Sequence, residues 1–142
     1  MSHADILYQI QQLGRRLLPE EAHLLLYGSR ARGDYRENSD WDLLVLLNRP
    51  QEASDFQNIA YPIMELGFDL GEYFSVQTYS QQEWDAMSFL PYYKNVEQDK
   101  IVLVWLYGKK AIIIAYYATE EDTAPRIAKT AEFIDRVVRL IS

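Results

Sequence analysis

Gly28-Ser29 and Asp40-Trp41-Asp42 carry the residue types for phosphate and metal chemistry, and ten residues separate them. Asp40 and Asp42 are two positions apart, so on a strand both carboxylates point to one face. Two carboxylates left together repel, and one tends to hold its proton. A divalent cation removes that conflict, and Mg²⁺ takes oxygen ligands from one or two carboxylates, substrate phosphates and water. Gly28 lets the backbone approach a phosphate closely. A helix opening there would add free N–H groups and a favourable dipole, and the Ser29 hydroxyl adds a donor. Arg30, Arg32 and Arg36 form a local basic cluster that either neutralises phosphate charge or is solvated. The alternatives are an ordinary turn at Gly-Ser and an exposed strand start at Asp-x-Asp. Together the two stretches argue for a metal–nucleotide complex.

The elements that must position these residues follow from periodicity. Ile6, Leu7, Ile10, Leu13, Leu17 and Leu18 predict a helix over about 4–18, with Ser2 as its cap and Pro19 as its stop. Strands are predicted over 23–27 and 41–47, with a helical turn over 30–35 between them. Phe56, Ile59, Ile63 and Leu66 predict a helix over about 53–66, kinked at Pro62. A strand over 72–80 leads into the capping box Ser80-Gln81-Gln82-Glu83 and a short helix ending near Pro91. Residues 101–117 read as a β-hairpin turning at 108–110, and 123–141 as an amphipathic helix capped by Thr123. That last helix either covers its own sheet or pairs two copies into a homodimer.

The chain has 142 residues, enough for one domain spanning 1–142, and no cysteine, which excludes thiolate ligands and nucleophiles. A net charge of -7 disfavours general nucleic-acid binding. The apolar region 101–118 is broken by Gly108-Lys109-Lys110, so no membrane span is expected, and the N-terminus lacks the features of a signal peptide. The expected location is the cytoplasm. His3 and His23 lack metal-ligand spacing and read as structural or exposed. Tyr92-Tyr93 and the other tyrosines read as core or interface residues.

The segment 26–47, with its Gly-Ser, ten residues and Asp-x-Asp, resembles the nucleotidyltransferases of the DNA polymerase beta superfamily. Across Gly28-Ser29-Arg30-Ala31-Arg32-Gly33 it is similar to the minimal nucleotidyltransferase branch. The resemblance implies an α/β (α+β) fold, a mixed sheet carrying the active site on one face with helices packed on the other. It implies that Gly28 and Ser29, with Arg30, Arg32 and Ser39, bind the triphosphate of ATP or another nucleotide. Asp40 and Asp42 would hold two Mg²⁺ ions, and a nucleotidyl group, AMP from ATP, would pass to a hydroxyl of a protein or small molecule.

Such enzymes usually carry a third carboxylate on a following strand. The expected strand places Ser75 and Gln77 at its middle, so Glu72 is the candidate, with Asp69 the other nearby acid. Members of the branch are often partners of HEPN-domain toxins, and some transfer AMP to a toxin tyrosine. This chain shows no HEPN-type Arg–His motif and would be the nucleotidyltransferase of such a pair. The alternative is a nucleotide-binding module, weak or inactive in catalysis, that acts by binding a partner protein. A third reading, modification of a cationic antibiotic, fits the acidic charge but asks for more substrate-binding structure than this length supplies.

Overall fold

A computed structural model of the protein describes residues 1–107 and 110–113. Helix α1, His3–Leu17, opens on Ser2, whose hydroxyl accepts from the Asp5 N–H while the Asp5 carboxylate accepts from the Ser2 N–H. Its apolar stripe, Ile6, Leu7 and Ile10, enters the core. Gly14 admits Leu24 and Val104 at close range, and Gln11 donates to the Leu103 carbonyl. Strand β1 is His23–Tyr27, helix α2 is the single turn Ser29–Arg32, and strand β2 is Trp41–Leu47. All three lie close to where the sequence puts them, with α2 shorter than the expected 30–35 because Gly33 stops it in the left-handed conformation.

The helix expected over 53–66 begins instead as a π-helical turn, Phe56–Ala60, and continues as α3, Tyr61–Asp69. Pro62 therefore sits in the first turn of α3, not at an internal kink. Proline has no N–H, and its ring collides with the carbonyl four residues back in an α-ladder. The wider π turn removes that collision, and the Tyr61 N–H bonds back to the Phe56 carbonyl. Strand β3 is Phe74–Ser80, and α4, Gln81–Ala86, starts on the expected capping box, with Ser80 and Glu83 each accepting the other's backbone N–H. Helix α5, Pro91–Asp99, has no counterpart in the sequence reading. Pro91 opens this helix in its first turn, where a missing N–H costs nothing. Strands β4, Ile101–Tyr107, and β5, Lys110–Ile113, pair antiparallel, which matches the first part of the expected hairpin. The turn at 108–109, residues 114–117 and the helix expected over 123–141 lie outside the described residues.

Among the described residues five strands form one mixed sheet in the order β3-β2-β1-β4-β5, with β2 and β3 parallel and the other neighbours antiparallel. Alternation along β1 and β2 splits the core. Leu24, Leu26, Trp41, Leu43 and Val45 pack toward α1 and α3, with Ile10, Ile59, Ile63 and Phe74. Leu25, Leu44 and Leu46 pack the other way, against Trp84 of α4 and Val96 of α5. Helices therefore cover both faces, and α4 and α5 share the face that Asp42 takes. No helix among the described residues is long and apolar enough to cross a membrane.

Candidate active site

Strand β1 ends at Tyr27, and the backbone turns sharply at Gly28, with φ 74° and ψ -159°, before α2 begins. That conformation is open to glycine almost alone. The Gly28 carbonyl accepts from the N–H groups of Ala31 and Arg32, both at 3.0 Å. The first N–H groups of a helical turn have no acceptor within it, so those of Ser29 and Arg30 are left for outside partners. Across the strand pair, Tyr27 stands opposite Asp42. The Asp42 carboxylate lies so close to Gly28 that a Cβ there would collide with Oδ2. Gly28 and Asp42 are thus neighbours, as the spacing of the two stretches predicts.

Asp40 is exposed just before β2, and Asp42 is half-buried within it. Burial is the larger cause, and repulsion from Asp40 the second, raising the Asp42 pKa; the Arg32 guanidinium opposes both. Burial and the neighbouring like charge both disfavour the ionised Asp42, and a bound cation would relieve both. The donor set fits Mg²⁺ as far as two carboxylates go, with phosphate and water oxygens completing the shell. Among the described residues no group of three acidic or histidine side chains converges as a metal site.

The remaining predicted residues divide. Arg32 stays near the site, half-exposed, its Nη1 donating to Asp99 at 2.9 Å and its Nε to Asp34 at 3.3 Å. Ser39 spends its hydroxyl on the Arg36 N–H at 2.8 Å. Arg30 corrects the expectation of a phosphate ligand or a solvated side chain. It is 4% exposed, and its guanidinium donates to the Glu37 and Ser39 carbonyls and lies over the rings of Tyr35 and Trp41.

Glu72 is likewise not brought to the aspartate pair. It precedes β3, its Oε2 accepts from Trp41 Nε1 at 3.2 Å, and it lies 3.8 Å from Arg30 Nη2. Trp41 points to the face opposite Asp42, so Glu72 serves that opposite face. The residue facing Asp42 across the parallel pair is Ser75, and Gln77 follows opposite Leu44.

An aromatic wall that the motif spacing does not predict stands beside Asp42. Tyr27 and Tyr92 share a hydrogen bond between their hydroxyls at 3.2 Å, and Tyr79 packs on the same side. Burial raises the Tyr27 and Tyr92 pKa values, and the Asp42 charge adds to the effect at both. Tyr27 could have been found, because it directly precedes Gly28 and shares the parity of Asp42. Tyr92 could not, because α5 carries little apolar periodicity.

The glycine-bounded turn at Gly28 thus stands beside Asp42 of β2, with Asp40 just before that strand. The family model described as nucleotidyltransferase domain matches residues 7–133, and the chain belongs to that family. The protein adenylyltransferase MntA of Aphanizomenon flos-aquae is 34% identical over 73 residues, covering 49% of each chain. The chain thus matches about half the length of that curated relative. Two solved structures are similar in outline: a toxin–antitoxin with AMP-PNP, at TM-score 0.48 and 16% identity over 94% of this chain and 90% of the other, and a candidate nucleotidyltransferase from Sulfolobus solfataricus, at TM-score 0.43 and 19% identity over 74% and 89%.

Proposed function

We propose that the chain binds a Mg²⁺–nucleoside triphosphate, with ATP as the nucleotide, and transfers AMP to a hydroxyl of a protein acceptor in the cytoplasm. The observation that carries this reading is the approach of the Asp42 carboxylate to the Gly28 backbone, beside the open N–H groups of Ser29 and Arg30. A phosphate on those N–H groups would lie next to Asp40 and Asp42, which would hold the metal. Bound Mg²⁺ supplies charge neutralisation at the phosphates and stabilises departing pyrophosphate; a second ion would draw its remaining ligands from the triphosphate and water. The chain itself orients the triphosphate at Gly28 and Ser29 and leaves Arg32 near the pair. The acceptor oxygen forms a bond to the α-phosphorus, the α–β bridging bond breaks, pyrophosphate leaves, and the acceptor proton passes to solvent.

The name of the curated relative supports adenylyl transfer to protein. The resemblance of Gly28–Gly33 to minimal nucleotidyltransferases favours a HEPN-type toxin as the acceptor. A second reading rests on Ser75: the residue opposite Asp42 cannot act as a third carboxylate. On that reading the chain holds a nucleotide but transfers weakly, and acts by binding its partner.

Incubation with α-phosphate-labelled ATP, Mg²⁺ and the protein encoded beside this chain tests the two. Transfer of label to that protein, lost in an Asp40→Asn, Asp42→Asn variant, is the expected result. Neutralisation of the partner that survives the double substitution, without label transfer, sinks the transferase reading in favour of the binder. If the missing carboxylate limits the rate, Ser75→Asp raises transfer by about tenfold, the effect of roughly 1.4 kcal/mol at the barrier.

A further inference from the structure

The ten residues between Ser29 and Asp40, the rest of α2 and then a loop over 33–40, must deliver the two halves of the site to each other. The side chain that closes this loop is Arg30, the residue immediately after Ser29. Its Nη2 donates to the Glu37 carbonyl at 3.0 Å and to the Ser39 carbonyl at 3.1 Å, and its Nε reaches the same Ser39 carbonyl at 3.3 Å. Ser39 is the last residue before Asp40. The guanidinium carbon lies 4.4 Å from the centroid of Tyr35 and 4.6 Å from that of Trp41, the residue between the two aspartates. One buried side chain therefore grips the peptide on one side of Asp40 and the ring on the other.

The surroundings fix this grip. His3 of α1 stacks on Tyr35 at 4.5 Å between centroids and an angle of 14°, and tilts over Trp41 at 4.7 Å. Glu72 anchors Trp41 through its indole N–H and supplies the carboxylate nearest Arg30. A planar guanidinium serves two carbonyls and two ring faces at once; an ammonium could carry the charge but not the fork.

We infer that Arg30 is a positioning residue that clamps the loop over 33–40, setting Asp40 and Asp42 at their working distance from Gly28 and Ser29, with Glu72, Trp41 and His3 as its seat. The inference rests on the proposed nucleotide reading for its consequence and on geometry alone for the clamp. It gives Glu72 a role at the site without touching substrate. It also explains why an arginine within a phosphate-binding stretch is turned inward.

The test compares wild type with Arg30→Lys, Arg30→Met and Asp40→Asn by hydrogen exchange and by calorimetric titration with ATP, with and without Mg²⁺. Both Arg30 variants are expected to exchange faster across residues 33–40 by about tenfold or more, with α1 and β2 still protected, because charged hydrogen bonds to the Glu37 and Ser39 carbonyls are lost. Mg²⁺-dependent ATP affinity is expected to fall by a similar factor, Arg30→Lys less than Arg30→Met, while metal-free binding changes little. A purely structural role would lower melting temperature and leave the split between metal-dependent and metal-free binding intact. Unchanged exchange over 33–40 overturns the clamp, and so does faster exchange with unaltered Mg²⁺-dependent affinity. Failure of wild type itself to bind Mg²⁺–ATP overturns the nucleotide reading instead, and the exchange comparison still decides the clamp.

Discussion

Asp42 is held with a pKa above its ordinary value, first by burial and then by Asp40. A carboxyl raised in the fold binds its proton more readily there than in the unfolded chain. It therefore opposes folding as pH rises from its unfolded value through its folded one, and at neutral pH it is a net cost to stability. Asp42→Asn is accordingly expected to raise the melting temperature in metal-free buffer. Mg²⁺ with ATP should stabilise wild type and leave the variant unmoved. A variant that melts lower than wild type without metal would contradict the assignment of strain to this pair. The aspartates and the Gly-Ser turn were legible in the sequence because their chemistry depends on local spacing. Arg30 was misplaced because its direction depends on Trp41 and Glu72, and Glu72 is 42 positions further along the chain.

Helix α3 meets β3 at Gly67, where an added Cβ would stand 2.7 Å from the Phe74 ring. Alanine normally favours a helix interior over glycine by about 1 kcal/mol. Here the ring is buried in the core, so Gly67→Ala is expected to destabilise by about 1–3 kcal/mol. Urea unfolding at fixed pH measures this; a stabilised variant would mean that α3 shifts freely over the sheet. Element types were largely readable where apolar periodicity was strong, as in α1, β1 and β2. Helix α5 was missed because its buried side is little more than Val96, with Tyr92 and Tyr93 half-covered. The π turn was missed because Pro62 admits two solutions, a kink or a fresh start, and only packing at Ile59 and Ile63 selects between them.

Across the whole molecule, both histidines are held neutral. Burial, aided by Arg30, lowers the His3 pKa to about 4, and burial, aided by Lys100, does the same to His23. The unfolded chain takes up these protons from about pH 6.5 downward while the fold refuses them, so stability is full above that pH and falls toward pH 4. A loss on the order of 1 kcal/mol per histidine between pH 7 and 5 is expected, after allowance for screening at half-buried groups. The urea midpoint should drop over that range and drop less in His23→Phe; a midpoint constant from pH 7 to 5 would contradict it.

The mixed sheet followed from the family resemblance, which put helices on the one face only; α4 and α5 cover the other as well, because the partners of Trp84 and Val96 lie on distant strands. Whether Gly28-Ser29 and Asp40 with Asp42 act as one site is decided by calorimetric titration of ATP into wild type and into the Asp40→Asn, Asp42→Asn variant, with and without Mg²⁺. Binding that Mg²⁺ strengthens, and that in the variant falls to the metal-free level, is predicted. Absence of binding to wild type, or equal binding to the variant, would contradict the account.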